Sequence, residues 1–307
     1  MPIAIGVDIG GSHISCAAVE LSSSEIIHQT YRVERVDSKE EKEVILQQWA
    51  DCLNSVLQEL GDKLPIGIGF AMPGPFRYRE GIAMFEVNDK FESLYGVSIK
   101  EELPKYLDKK EIPLRFFNDA SSFGIGSLLT GGFNTQSKVV ALTLGTGFGA
   151  AFFEDEYPLI DAEKVPENGC LWDKKFKDSI ADDYFSTRWF LQQYEREFGH
   201  KISGGVKSLI AHNSARAQEL FDIFTLNFVA FTTPYLKVFN PDILIIGGSI
   251  AKSSQLFLNK LQDKLKDRGL QMQITIIDQT DQANIIGASH TFNPCFWNKI
   301  KDKLPNI

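Results

Sequence analysis

The sequence predicts an α/β protein built from two like halves with a cleft between them. A short apolar strand that runs into a glycine turn and out into a second strand occurs at Asp8-Ile9-Gly10-Gly11-Ser12. It occurs again at Leu144-Gly145-Thr146-Gly147. Between and after these hairpins, buried apolar runs alternate with stretches of helical periodicity, the mark of a mixed α/β chain rather than an all-helical or all-strand one.

Taken in order, Ile3 to Val7 is a short apolar strand and Gly10-Gly11 a tight turn. Ile14 to Val19 is a second strand, and Glu25 to Val33 a third, preceded by the turn residues Ser22 to Ser24. Ser38 with Glu41 reads as a capping box, and Ile45, Trp49, Cys52, Leu53 and Val56 recur at helical spacing behind it. Ile66 to Phe70 is a strand ending in the rigid turn Met72-Pro73-Gly74-Pro75. Leu114 to Phe117 is strand-like, with a helix from Asp119. Val139 to Leu144 and Phe148 to Phe153 form the second hairpin. Helices follow over about Asp182 to Glu197 and Ser214 to Phe239. A strand at Ile243 to Ile246 leads to Gly247-Gly248, then a helix near Ser253 to Lys266, a strand from Gln273 to Ile277 and a last helix through Ile285 to Ile300.

The bulk composition narrows the function. With 307 residues, 43% hydrophobic and 23% charged, the chain can bury two sizeable cores. A net charge of -8 argues against a nucleic-acid partner, because neutralising phosphates takes clustered Lys and Arg. Cys16, Cys52, Cys170 and Cys295 form no CxxC pair, so they offer neither a thiolate zinc cluster nor a disulfide framework. The N-terminus enters a strand pattern at once, and no apolar run is long enough for a bilayer. The expectation is a cytoplasmic protein with no membrane partner.

Four short segments carry chemistry. Gly10, Gly11 and Ser12 let backbone N–H groups approach an anion and add a hydroxyl, while Asp8 at the strand end could hold Mg²⁺ through water. A plain hairpin would use the same glycines. With a plain hairpin again the alternative, Gly145, Thr146 and Gly147 could make a second phosphate cradle. It lacks the Lys-Ser/Thr ending of a P-loop, and no helix follows it as a dinucleotide-binding turn requires. Asn118-Asp119 stands at a strand-to-helix junction. Asp119 is either a helix cap or a general base that takes the proton of an attacking sugar hydroxyl, with Asn118 fixing a neighbouring hydroxyl. Gly247-Gly248 could pass under a nucleotide base, or be a loop capped by Ser249 or Ser253.

Together these segments resemble the ROK family of sugar kinases and sugar-responsive repressors, within the actin and hexokinase superfamily. Asp8-Ile9-Gly10-Gly11-Ser12-His13 is similar to the family's DIGGTK motif, Pro73-Gly74-Pro75 to its PGP turn and Asn118-Asp119-Ala120 to its NDA motif. Leu144-Gly145-Thr146-Gly147-Phe148-Gly149 is similar to its LGTGIG motif, and Ile246-Gly247-Gly248-Ser249 and Ile286-Gly287-Ala288 to its C-terminal glycine motifs. The resemblance implies two ribonuclease H-like (actin-like ATPase) lobes with a central cleft, a small lobe over 1–117 and a large lobe over 118–307. The last helix, about 290–307, would pack on the small lobe. It implies ATP and Mg²⁺, a hexose or amino-hexose acceptor, Asp119 as base, and Asn118, Gly74 and Glu167 on the sugar. Asp182 is aligned more loosely with a further sugar-contacting acid. Such kinases are often homodimers, although no interface is legible in this sequence.

The chain departs from the family at informative places. The usual Glu-x-Gly-His with its cysteine-rich zinc loop is replaced by Glu167-Asn168-Gly169-Cys170 with no cysteine cluster after it, so no zinc site is expected. Cys170 reads as a small buried residue. His13 stands where the family has Lys and reads as a solvated loop histidine. A DNA-binding regulator is disfavoured by the charge and by the start of the glycine motif at Asp8. A non-catalytic sugar sensor and a kinase using polyphosphate remain as alternatives, the latter lacking a Lys/Arg run. The loops from Pro75 to Tyr95, with Asn88 among them, leave the identity of the sugar open.

Overall fold

The computed structural model describes residues 1–86, 90–133 and 137–305; Asn88 therefore lies outside the described residues. The chain opens with β1 (Ile3–Ile9) and β2 (His13–Glu20), followed by β3 (Glu25–Ile26), β4 (Arg32–Arg35), α1 (Lys42–Leu60) and β5 (Ile68–Met72). The small hairpin β6 (Phe76–Arg77) and β7 (Ile82–Ala83) comes next, then α2 (Ile99–Glu102), β8 (Leu114–Asn118) and α3 (Asp119–Thr130). The first sheet has the order β3-β2-β1-β5-β8, with β4 also pairing with β2. The β1–β2 and β2–β3 pairs are antiparallel; β1–β5 and β5–β8 are parallel.

The second stretch runs through β9 (Val139–Leu144), β10 (Phe148–Glu154), β11 (Tyr157–Leu159), β12 (Lys175–Phe176), β13 (Ser179–Ile180), α4 (Ala181–Tyr184) and α5 (Thr187–Phe198). It continues through α6 (Gly205–His212), α7 (Ser214–Phe239), β14 (Ile243–Gly247), α8 (Leu258–Asp267) and β15 (Gln273–Ile276). The chain closes with α9 (Thr280–His290) and α10 (Pro294–Ile300). Its sheet order, β11-β10-β9-β14-β15, repeats the plan of the first: an antiparallel meander joined to two parallel strands. The duplication expected from the two glycine hairpins is thus present in the strand order.

Two compact units result, Met1–Asn134 with Asp281–Ile307, and Thr135–Thr280. The boundary expected at Asn118 falls elsewhere. β8 is laced to β5 over Leu114 to Asn118, and α3 stays with the first unit because its backbone meets α9 directly. A Cβ on Gly126 of α3 would lie 1.8 Å from the carbonyl oxygen of Ala283, and one on Gly287 of α9 would lie 1.9 Å from that of Ser122. α9 also crosses the sheet where Gly6 and Gly69 are register partners, with Cβ positions 1.9 Å from Ile285 O and 2.0 Å from Ala288 O. Only glycine allows backbones this close.

The cores explain the remaining elements. In the first unit Ile45, Trp49, Leu53 and Val56 of α1 are fully buried with Ile5, Val7 and Phe70 of the sheet, and the helix stops at Gly61, whose φ is +58°. The capping box is not formed: the N-cap is Glu41, without a side-chain bond, and the Ser38 carbonyl accepts the Phe91 N–H at 2.7 Å. The expected third strand divides into β3 and β4 around a 3-10 turn at His28–Thr30. The expected last helix divides at Asn293, which caps α10 ahead of Pro294. In the second unit α7 lays Phe221, Phe224, Phe228 and Phe231 into a buried aromatic layer with Phe148 and Phe185. No described helix is long and apolar enough to cross a membrane.

Gly126→Ala is expected to lower stability by about 1–3 kcal/mol, the usual range for overpacking, read as a lower midpoint in denaturant unfolding. An unchanged midpoint would contradict the close α3–α9 crossing.

Candidate active site

In the first unit the functional groups gather at the carboxyl ends of the parallel strands, where open α/β sheets bind ligands. Asp8 lies next to the end of β1, and Asn118 ends β8 directly opposite Met72 of β5. Gly74 lies two residues beyond Met72, in a turn with a cis Gly74–Pro75 bond. Tyr78 ties this turn to the strand end: its hydroxyl donates to the Met72 carbonyl at 3.1 Å and accepts from Asn118 Nδ2 at 3.2 Å.

Asn118, not Asp119, is the cap of α3, its Oδ1 accepting the Ser121 N–H at 3.1 Å. Asp119 is the first helical residue and is only partly buried. Its Oδ1 accepts the Ala120 N–H at 2.8 Å and Asn118 Nδ2 at 3.1 Å. Burial pushes the carboxyl up to about 6, against the pull of the Ala120 N–H and the Lys90 ammonium. A carboxylate held near 6 is ionised at neutral pH yet basic enough to accept a proton.

Asp8 is 9% exposed, and its Oδ1 accepts from Asn284 Nδ2 of α9 at 2.9 Å. Burial first, then the neighbouring Asp119 and more weakly Asp281, push its carboxyl up to about 8. Asp281 in turn accepts from the Tyr31 hydroxyl. Asn284 Oδ1 is buried and has no partner. A hydrated divalent cation fits these residues. It would relieve the crowding of carboxylates, and its waters could donate to the orphaned amide oxygen. Among the described residues no group of three or more His, Cys, Asp or Glu is arranged to hold a metal directly.

The Gly10–Ser12 turn closes with Gly10 N–H on the His13 carbonyl at 2.9 Å. His13 is the first residue of β2, and its imidazole lies against Gly10, 2.8 Å from where a Cβ would be. Over Gly11 lies the side chain of Lys90, which the sequence reading did not single out.

The second unit brings its two glycine turns side by side. β9 and β14 are parallel neighbours with Thr143 opposite Gly247, and Ile250 N–H returns to the Leu144 carbonyl at 2.9 Å. Gly248 has φ +97°, and a Cβ there would lie 2.3 Å from Leu144 O, so the position requires glycine. Its N–H donates to Thr280 Oγ1 at 2.7 Å. The first turn is braced from below: Thr187 N–H and Oγ1 donate to the Gly145 carbonyl at 2.7 and 2.9 Å, and Arg188 donates to the Thr146 carbonyl at 3.2 Å. Asp182 accepts the Phe148 N–H at 2.6 Å and is paired with Arg188. Its carboxylate is therefore built into the glycine turn.

Glu167 opens a 3-10 turn, Glu167–Gly169, and is exposed. Cys170 behind it is buried. Its thiol lies 3.6 Å from the Glu167 carbonyl, and burial pushes it up to about 12, which makes it an inert thiol at neutral pH. Lys90, Arg188 and Asn284 have no local signature, since each reaches its partner across the fold. The sequence put the candidate cap at Asp119, but asparagine caps a helix equally well, and here Asn118 takes that place.

An antiparallel meander with parallel strands, repeated in two units, each with a glycine turn between its first two long strands, defines an α/β protein of the actin-like ATPase fold. The ROK family profile matches residues 4–169, and the chain belongs to the ROK family. It is 28% identical over 286 residues to a glucokinase of Thermotoga maritima, covering 86% of this chain and 87% of that protein. It is 23% identical to a xylose repressor of Caldicellulosiruptor bescii, covering 92% and 76%. Among solved structures it is similar to a ROK family glucokinase from Streptomyces griseus in complex with glucose and AMPPNP. That match has a TM-score of 0.72 and 17% identity, over 94% of this chain and 98% of that one.

The raised Asp8 carboxyl sets a sign. A carboxyl near 8 in the fold and about 4 when unfolded favours the fold while protonated, so metal-free stability falls as pH rises from about 4 to 8. Asp119, held near 6, adds to the same slope at its lower end. Asp8→Asn should therefore raise the thermal midpoint of metal-free protein at pH 8 and flatten the slope. A midpoint lowered by the substitution at that pH would contradict this.

Proposed function

We propose that the chain is an ATP-dependent sugar kinase that transfers the γ-phosphoryl group to a hydroxyl of a hexose or amino-hexose in the cytoplasm. The observation that carries this reading is Asp119. It is a partly buried carboxylate at the first turn of α3, with one oxygen fixed by Ala120 N–H and its proton affinity raised to about 6. Family membership and the similarity to a glucokinase support the same reaction class.

In this reading Asp119 accepts the proton of the attacking sugar hydroxyl. The sugar oxygen forms its bond to the γ-phosphorus as the bond to the β–γ bridging oxygen breaks. ADP leaves with that electron pair, and the products are sugar phosphate and ADP. Asn118 is oriented by Tyr78 and by its capping bond to fix a neighbouring hydroxyl, with Gly74 in the adjoining turn. Glu167 is the further sugar ligand of the second unit. Asp182 is assigned first to holding the Gly145–Gly149 turn, through Phe148 N–H and Arg188, and reaches the sugar only if that pair opens. The Gly10, Gly11 and Ser12 turn and the Gly145, Thr146 and Gly147 turn are the two phosphate-binding elements, with Gly247-Gly248 under the base. Mg²⁺ bound with ATP spreads the charge of the phosphates, and Asp8, steadied by Asn284, is the residue that would hold it through water.

A sugar sensor without turnover is the second reading, favoured by the similarity to a xylose repressor. ADP release with Mg·ATP across a hexose and N-acetyl-aminohexose panel separates the two. Sugar-dependent release is expected, reduced by about 10²–10⁴-fold in Asp119→Asn, the usual worth of a general base. In the wild type kcat/KM should fall as pH drops through about 6, because the protonated carboxyl cannot accept the hydroxyl proton. Sugar binding with no ADP release from any sugar would favour the sensor.

A further inference from the structure

Lys90 lies in the segment between β7 and α2, far in sequence from both the glycine turn and Asp119, yet its side chain lies over the turn and its charge acts on Asp119. A Cβ placed on Gly11 would lie 2.6 Å from Lys90 Cδ, 2.7 Å from Cε and 3.1 Å from Nζ. The aliphatic stem therefore lies flat over the Gly10–Gly11 turn, in the space that glycine leaves open. The next residue, Phe91, explains how the backbone holds Lys90 there. Phe91 is 1% exposed, sits at φ +56° and has ring centroids 5.4 Å from Trp49 and 5.8 Å from Phe85. Its N–H donates to the Ser38 carbonyl at 2.7 Å. An anchored aromatic in a left-handed conformation is costly unless the fold over-determines it, and here it fixes where Lys90 begins.

Among the described residues, the charged groups that act on Asp119 include Asp8 at the end of β1 and Lys90, and Asp281 of α9 acts on Asp8. Lys90 is thus the cation set against a group of carboxylates beside a turn whose N–H groups suit an anion. Its attraction is also one of the influences that keep Asp119 from rising further.

We propose that Lys90 is a catalytic residue of this site, whose ammonium contacts the non-bridging oxygens of the transferring γ-phosphoryl group. This rests on the kinase reading above. As the bond from sugar oxygen to phosphorus forms and the bond to the β–γ bridging oxygen breaks, charge builds on these oxygens. Lys90 neutralises it and keeps its own proton, which leaves Asp119 as the acceptor of the hydroxyl proton. His13, at the place where the related motif carries lysine, lies against Gly10, whereas the atoms nearest a Cβ on Gly11 are those of Lys90. The cation over this turn thus comes from a different segment of the chain.

The test compares wild type, Lys90→Met and Lys90→Arg in three measurements. In turnover, Lys90→Met is expected to lose about 10²-fold in kcat, the scale of removing one donor from a developing oxyanion, with KM for the sugar little changed and part of the loss restored in Lys90→Arg. In calorimetry, Lys90→Met should bind AMPPNP roughly tenfold more weakly, as for one lost charge-assisted bond, with ADP affinity unchanged because ADP lacks the contacted group. In a ¹³C titration of the carboxyls, which needs no turnover, Asp119 should titrate at higher pH in Lys90→Met, and the acid limb of kcat/KM should move with it. If the wild type is active but Lys90→Met keeps its kcat and its AMPPNP affinity, the role of Lys90 is overturned. If the wild type phosphorylates no sugar, the kinase reading itself falls, and the phosphoryl contact with it. An unshifted Asp119 titration would show that Lys90 does not act on the base.

Discussion

The first unit depends on a backbone-to-backbone seam along α9. Gly6 and Gly69 on the sheet, Gly126 on α3 and Gly287 on α9 itself each face a carbonyl at a distance no Cβ could tolerate. The contact is reciprocal between the helices, with Gly126 against Ala283 and Gly287 against Ser122; Ser122 and Gly126 are four residues apart on α3, as are Ala283 and Gly287 on α9. A segment from the end of the chain thereby becomes part of the floor of a site built mainly from its first residues. Asn284 stands on this same stretch of α9 and meets Asp8, and Asp119 opens the helix that α9 clamps. Glycine packing thus sets the backbone that carries the two central carboxylates, and their hydrogen bonds to Ala120, Asn118 and Asn284 orient them. Arg115 extends the seam, lying 4.4 Å from the ring centroids of Phe292 and Trp297.

The two units solve the same topological problem with different chemistry. In both, a glycine turn links the first two long strands and parallel strands follow. In the first, the turn is accompanied by carboxylates that crowd one another and by one lysine stem over Gly11. In the second, it is braced by hydrogen bonds from Thr187 and Arg188 to its carbonyls and by Asp182 on the Phe148 N–H, with a second glycine turn beside it. The first arrangement suits handling a proton and a cation. The second suits holding polyanionic phosphate and an aromatic base on rigid backbone. The two units thus share a strand plan and differ in the side chains around each turn.

Much of this was legible in the sequence because it is local. The glycine hairpins, the apolar strands and the Asn118-Asp119 junction each fit within a few residues, and their chemistry depends on the backbone they create. What was not legible depends on distance. Gly126 and Gly287 look like weak points in helices until the opposing carbonyls are known, and Asn284 looks like any buried helical amide. Lys90 sits in a loop with no motif. The loose alignment of Asp182 with a sugar-contacting acid gave no sign that its carboxylate holds the second glycine turn, a contact between residues 34 apart. The capping box at Ser38 did not form because the helix begins later, at Lys42 with Glu41 as its N-cap.

The most direct test of the account follows the γ-phosphorus itself by ³¹P NMR, with Mg·ATP and glucose or N-acetylglucosamine added to the protein. The account predicts that the γ resonance of ATP is replaced by that of a sugar phosphomonoester while the ADP resonances grow in equal measure. Conversion to inorganic phosphate alone, or ATP left intact with every sugar, would contradict it.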